Sequence, residues 1–131
     1  MARKTSFTHV EGYSALSQSL LADHMVAISV EAKAGKWDAD TKMSVQKTDV
    51  NGTPQWIVQT LFYPIAGDIS HTPEVVPVTI AAAHMPEIVP GEEVEFVGLG
   101  AWTYLMRNRD NTITGVGRSF VAQGLRQPGV E

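Results

Sequence analysis

The sequence predicts an all-β domain, a small five-stranded Greek-key barrel with one short helix ahead of it. Three observations predict it. Runs of Val, Ile, Thr, Phe, Tyr and Trp recur with a two-residue period, the spacing that puts alternate side chains on one face of a strand. Gly, Pro, Asn and Asp interrupt those runs at short intervals, as turns do in all-β domains. Asn51-Gly52 separates two such runs, a strong short-range signal for a hairpin.

Residues 1–24 read as an N-terminal arm. Within it, 14–23 is expected to form the short helix, because Leu16, Leu20 and Leu21 share one face and Ser14 can cap it. Residues 25–32 form the first strand, with Val26, Ile28 and Val30 expected to share one face. Gly35 ends it, and 36–40 is expected as a polar connection. Residues 42–49 and 55–63 flank Asn51-Gly52, where a type I′ turn is expected because both residues tolerate positive φ. The run 55–63 carries apolar residues on both faces, Trp56, Val58 and Phe62 against Ile57, Leu61 and Tyr63. That strand is therefore expected to be central, and its second face to be buried in a homo-oligomer.

Residues 64–74, with two prolines and a glycine, read as a loop. The strand 75–82 follows, with Val76, Val78 and Ile80 inward and Pro77 at an edge or bulge, since proline has no N–H for a ladder. Residues 92–106 form a long strand that Gly98 and Gly100 bend; 107–111 is a polar hairpin loop. The last strand, 112–123, again holds paired glycines, Gly115 and Gly117. The barrel is placed at 25–126 and a flexible tail at 127–131.

At 131 residues the chain fits one domain. It contains no cysteine, which removes disulfides, thiolate metal sites and thiol nucleophiles and suits a reducing compartment. No stretch approaches the roughly 20 apolar residues of a membrane helix. The opening Met1-Ala2-Arg3-Lys4 is followed by polar residues instead of an apolar export segment. A cytoplasmic location with no membrane partner is expected. His9, His24, His71 and His84 have no partner at metal-ligand spacing. Gly98-x-Gly100 and Gly115-x-Gly117 open no helix and precede no Lys-Ser/Thr, so neither reads as a phosphate loop. No serine lies in a nucleophile-elbow sequence. The expectation is a protein without cofactor, metal or catalytic apparatus.

The net charge is −4, which argues against gripping duplex DNA through a broad basic face. Single-strand binding needs less, because bases stack on aromatics and a local basic groove suffices. The bases are distributed accordingly. Of the ten basic residues, Lys33, Lys36, Lys42 and Lys47 fall in one segment and Arg107, Arg109 and Arg118 in another, while acids gather at 87–95. Trp56, Phe62, Phe96 and Phe120 are assigned to packing. Trp37, Trp102 and Tyr104 lie in or near polar segments and stand open between packing and ligand contact.

Asp49-Val-Asn-Gly-Thr-Pro-Gln-Trp56, then Pro90-Gly-Glu-Glu-Val-Glu-Phe-Val-Gly98, then Gly117-Arg-Ser-Phe-Val-Ala122 carry a resemblance. In this order, over about 25–126, the chain resembles the oligonucleotide-binding (OB) fold single-stranded-DNA-binding proteins of actinobacterial plasmids and phages. The resemblance implies an OB barrel that binds single-stranded DNA, or RNA, across strands 2 and 3 between the 1–2 and 4–5 loops. Bases would stack on Trp37, Trp102 or Tyr104, while Lys36, Lys42, Lys47, Arg107 and Arg109, with Arg118 beside them, meet phosphates. Two other readings stay open: a structural or assembly barrel of a phage or mobile element, and a small-molecule carrier.

Overall fold

The computed structural model describes residues 22–68 and 71–128, the side chains of Thr103, Val116 and Arg118 excepted. Among the described residues there is no helix. The helix expected over 14–23 lies outside them except for Ala22 and Asp23, which are not helical. The described residues form nine strands in succession: β1 (His24–Ala32), β2 (Ala34–Asp38), β3 (Met43–Gln46), β4 (Gln55–Tyr63), β5 (Glu74–Ala81), β6 (Glu95–Val97), β7 (Gly100–Arg107), β8 (Ile113–Ala122) and β9 (Gly124–Arg126). Five of them form one sheet in the order β1-β4-β5-β8-β7. Its neighbours are antiparallel except for the parallel pair β5–β8.

The alternation in β4 and β5 works as expected. Val58, Thr60 and Phe62 are buried, as are Val76, Val78 and Ile80 opposite them. The Thr60 hydroxyl donates to the Val58 carbonyl at 3.0 Å, so its polar atom is satisfied inside the core. Phe62 meets Phe120 edge to face at 5.4 Å between ring centres. Pro77 precedes the Val78–Ile80 stretch that pairs with β8, so it lies outside the parallel ladder.

β1 does not keep its expected shared face. Met25 and Ala27 are fully buried, whereas Ile28 is exposed. The register slips between Ala27 and Ser29, and this bulge at Ile28 reverses which parity faces the core. Val30 consequently packs against the core, while Val26 and Ile28 do not face it. The other edge of β1 is not bare. Gly91 N–H donates to Ala27 O at 2.8 Å, Ala27 N–H to Glu92 O at 3.1 Å, and Val94 N–H to Met25 O at 2.8 Å. No ladder joins β1 to β7 among the described residues.

The segment 36–40 is not a plain connection. Residues 34–38 form β2, which pairs with β3 in a two-stranded ribbon separate from the main sheet. The expected strand 42–49 therefore belongs to this ribbon, which the bridge Thr48 to Pro54 and the bond from Gln55 N–H to Lys47 O at 2.8 Å tie to the chain entering β4. The turn at Asn51-Gly52 is not type I′. Only Gly52 has positive φ, 80°. Gly52 N–H donates to Asp49 O and Asp49 N–H to Thr53 O, the pattern of a type I turn closed by a left-handed glycine. The Asp49 carboxylate selects it by accepting the N–H groups of Asn51 and Thr53, each at 2.9 Å.

The long strand 92–106 divides into β6 and β7 at Gly98, whose φ is 64°. β6 pairs with β9 rather than with the main sheet. The end of the barrel and the first residue of the expected tail, Arg126 and Gln127, are both bonded to the rest of the fold. Arg126 forms an ion pair with Glu95 at 2.7 Å, and the Gln127 amide bonds both N–H and C=O of Val89. Residues 129–131 lie outside the described residues.

Candidate functional site

The two segments richest in bases and aromatics form two arms beside one face of the sheet. The first is the β2–β3 ribbon. Lys36 and Trp37 sit on β2, Trp37 opposite Ser44 and 65% exposed. Lys42 occupies its turn with φ at 57°, and Met43 and Val45 are also open to solvent. A groove of about 620 Å³ runs along the ribbon past Lys36 and Lys47.

The second arm is the β7–β8 hairpin. Trp102, Tyr104 and Met106 alternate onto one face of β7, directly opposite Ser119, Gly117 and Gly115 of β8. The glycines are needed for this. A Cβ on Gly117 would lie 2.6 Å from the Tyr104 ring, and one on Gly115 would lie 2.8 Å from the Met106 methyl. They are seats for the facing side chains, and beside Gly115 the register also slips, between Met106 and Arg107. Trp102 is nonetheless 70% exposed and Tyr104 45%. At the tip, Asn108 repeats the part Asp49 plays in the other loop. Its Oδ1 accepts the N–H groups of Asp110 and Thr112, and Asn111 takes the left-handed position at φ 65°. Arg107 donates to Asn111 O at 3.1 Å, and Arg109 is exposed in the loop.

Between the arms lies a cleft of about 440 Å³. Lys47 through Val50 form one side, Gln55, Thr79 and Ala81 the floor, and Trp102 and Val121 the other side. The structure thus brings Lys47 and Trp102 together, leaves Lys36, Trp37 and Lys42 on the ribbon, and leaves Tyr104, Arg107 and Arg109 along the hairpin. Arg118 is on β8 opposite Thr103, and its side chain lies outside what is described. Trp56 is structural, since it is partly buried and donates from Nε1 to Ala82 O at 2.9 Å.

Sequence reading missed the floor. Lys33 leaves β1 and donates from Nζ to Thr79 Oγ1 at 3.2 Å. Burial, and then the charge of Lys47, holds its pKa below the ordinary 10.5. Lys33 had been counted in the basic cluster, but nothing in the local pattern joins it to Thr79 or Gln55, which the sheet topology brings near. Elsewhere His24 stacks on Tyr63 at 4.2 Å, and His71 Nδ1 lies 2.8 Å from Asp68 Oδ2. No group of three or more His, Cys, Asp or Glu that could hold a metal ion is present among the described residues. No helix among them is long and apolar enough to cross a membrane. Compared with protein-family models, characterised proteins and solved structures, the chain matches none.

Proposed function

We propose that the chain is a single-stranded nucleic-acid-binding protein without catalytic activity, with single-stranded DNA as its ligand, built on an OB-type Greek-key plan. The cleft carries this reading: an exposed tryptophan faces a lysine across a sheet surface, the pairing of a stacking platform with a phosphate partner. The sheet order supports the plan. Taken as strands 1 to 5, the order β1-β4-β5-β8-β7 reads 1-2-3-5-4, with the third and fifth parallel. The hydrogen bonds from 91–94 to the free edge of β1 run in the direction that closing such a barrel requires. In that numbering the ribbon lies in the 1–2 connection and the Asn108 loop in the 4–5 connection, flanking strands 2 and 3, where OB folds bind oligonucleotides.

A fluorescence titration with oligo-dT tests it. Saturable quenching of tryptophan emission that weakens with salt is expected, and absence of binding at low salt sinks the reading. A second reading, a self-assembling structural protein, is favoured by one observation: the ribbon exposes apolar side chains on both faces, Met43 and Val45 on one and Trp37 on the other. Light scattering separates the two, since a large assembly with no affinity for single strands selects the second.

A further inference from the structure

We propose that Lys33 and Lys47 form a phosphate-binding subsite on the wall of the cleft, beside Trp102. The proposal rests on the nucleic-acid reading above and adds to it a residue, Lys33, that acts from beneath the ligand instead of from an arm.

The backbone fixes the pair. Lys33 N–H donates to Gln55 O at 3.0 Å, and Lys33 O accepts from Lys47 N–H at 2.8 Å, so the two lysines leave the chain side by side. The Lys33 side chain then crosses β4 to Thr79 on β5. Thr79 and Lys47 both line the cleft that Trp102 overlooks. A lysine on a surface ordinarily extends its ammonium into water. This one is partly buried and donates to a hydroxyl.

No carboxylate forms an ion pair with Lys33 among the described residues. Glu31 Oε1 accepts from Gln59 Nε2 at 2.8 Å, and Asp49, on the cleft rim, has Oδ1 turned to two backbone N–H groups. Lys33 is partly buried and Lys47 exposed, and neither makes an ion pair among the described residues. Burial and then Lys47 both lower the Lys33 pKa, as desolvation and a like charge do. An anion placed between the two lysines relieves both effects. A phosphate does so with several acceptor oxygens, and a strand whose base stacks on Trp102 carries one alongside.

The test combines a variant with a direct titration. Lys33→Gln removes a strained charge, so the fold is expected to survive. Its oligo-dT affinity is expected to fall about threefold to tenfold at low salt, with the slope of log K against log salt shallower by about 0.7, the loss of one phosphate contact. Lys33→Arg is expected to restore both. Following the Lys33 ¹³Cε resonance against pH, bound oligo-dT is expected to raise the titration midpoint, and inorganic phosphate to raise it less. If oligo-dT binds but neither slope nor midpoint changes, the subsite is wrong and the nucleic-acid reading stands. If oligo-dT does not bind while inorganic phosphate lifts the midpoint, the subsite stands as a free-phosphate site and the nucleic-acid reading falls. If neither ligand moves the midpoint and oligo-dT does not bind, both fall.

Discussion

The β2–β3 ribbon and the β7–β8 hairpin both hold an exposed tryptophan, yet they are built differently. In the ribbon, Trp37 stands on a two-stranded sheet of its own whose register slips between Ala34 and Trp37. In the hairpin, Trp102 stands opposite Ser119 and Tyr104 opposite Gly117, and β8 is anchored through its parallel ladder to β5. A ring seated on a strand anchored in the main sheet loses little freedom when a base stacks on it, whereas a ring on a separate two-stranded ribbon must be ordered first. The difference teaches that exposure alone does not make a platform; the anchoring of the strand that carries the ring decides.

That contrast can be broken most directly at the two tryptophans. Base stacking contributes roughly 1–3 kcal/mol per base, so Trp102→Ala is expected to weaken oligo-dT binding about tenfold or more at every salt concentration. Trp37→Ala is expected to weaken it less. Equal losses in parallel titrations would show that this anchoring does not matter.

The glycines sharpen the comparison further. A Cβ on Gly35 would meet the Val45 carbonyl at 2.6 Å, which is backbone of the partner strand. Gly35→Ala is therefore expected to destabilise the ribbon by about 1–3 kcal/mol, as overpacking does, visible as faster amide exchange in β2 and β3. Gly117→Ala meets only the outer end of the Tyr104 ring, which can swing away. It is expected to change denaturant stability by less than about 0.5 kcal/mol while weakening binding through the displaced ring. A large stability loss for Gly117→Ala would reverse this ranking.

The loop before β4 and the loop of the hairpin place different residues at the left-handed position, Gly52 in one and Asn111 in the other. Asn111→Gly is expected to stabilise the fold by about 0.5–1 kcal/mol in chemical denaturation, because glycine adopts that conformation without steric cost. The smallest effect is expected at Lys33. Its folded pKa lies below the ordinary 10.5, so the unfolded chain holds the proton more tightly. Stability from this group is missing below the folded pKa and is gained as pH rises from there to 10.5. Lys33→Met should thus be slightly more stable than the parent at pH 7, and melting curves should show the gap closing toward pH 10.5.

The all-β class and the inward faces of β4 and β5 were legible because period-two burial is written directly into Val58, Thr60, Phe62, Val76, Val78 and Ile80. The shared face of β1 was misread because a bulge at Ile28 leaves no mark in a run of Val, Ala and Ile. The ribbon was missed because Ala34-Gly-Lys-Trp-Asp38 lacks β-branched residues, and its pairing comes from β3 lying opposite. At the site, Lys47 and Trp102 were legible as residue types in polar surroundings. Lys33 with Thr79 was not, since their proximity depends on β1, β4 and β5 lying side by side.

The parallel ladder in the sheet joins two groups of strands. β1, β4 and β5 pair with successive neighbours, and β7 and β8 close their own hairpin. Joining the two groups requires Val78–Ile80 to find Phe120–Ala122 across some forty residues of chain, a closure that local contacts do not assist. The cleft straddles that seam, with Lys47, Gln55 and Thr79 on one side and Trp102 and Val121 on the other. A strand lying in it would clamp that junction and recognise only the fold in which both groups have met. At a ligand concentration one hundred times its Kd, such selectivity adds about 2.7 kcal/mol to the native state, so binding and completion of folding become one measurable event.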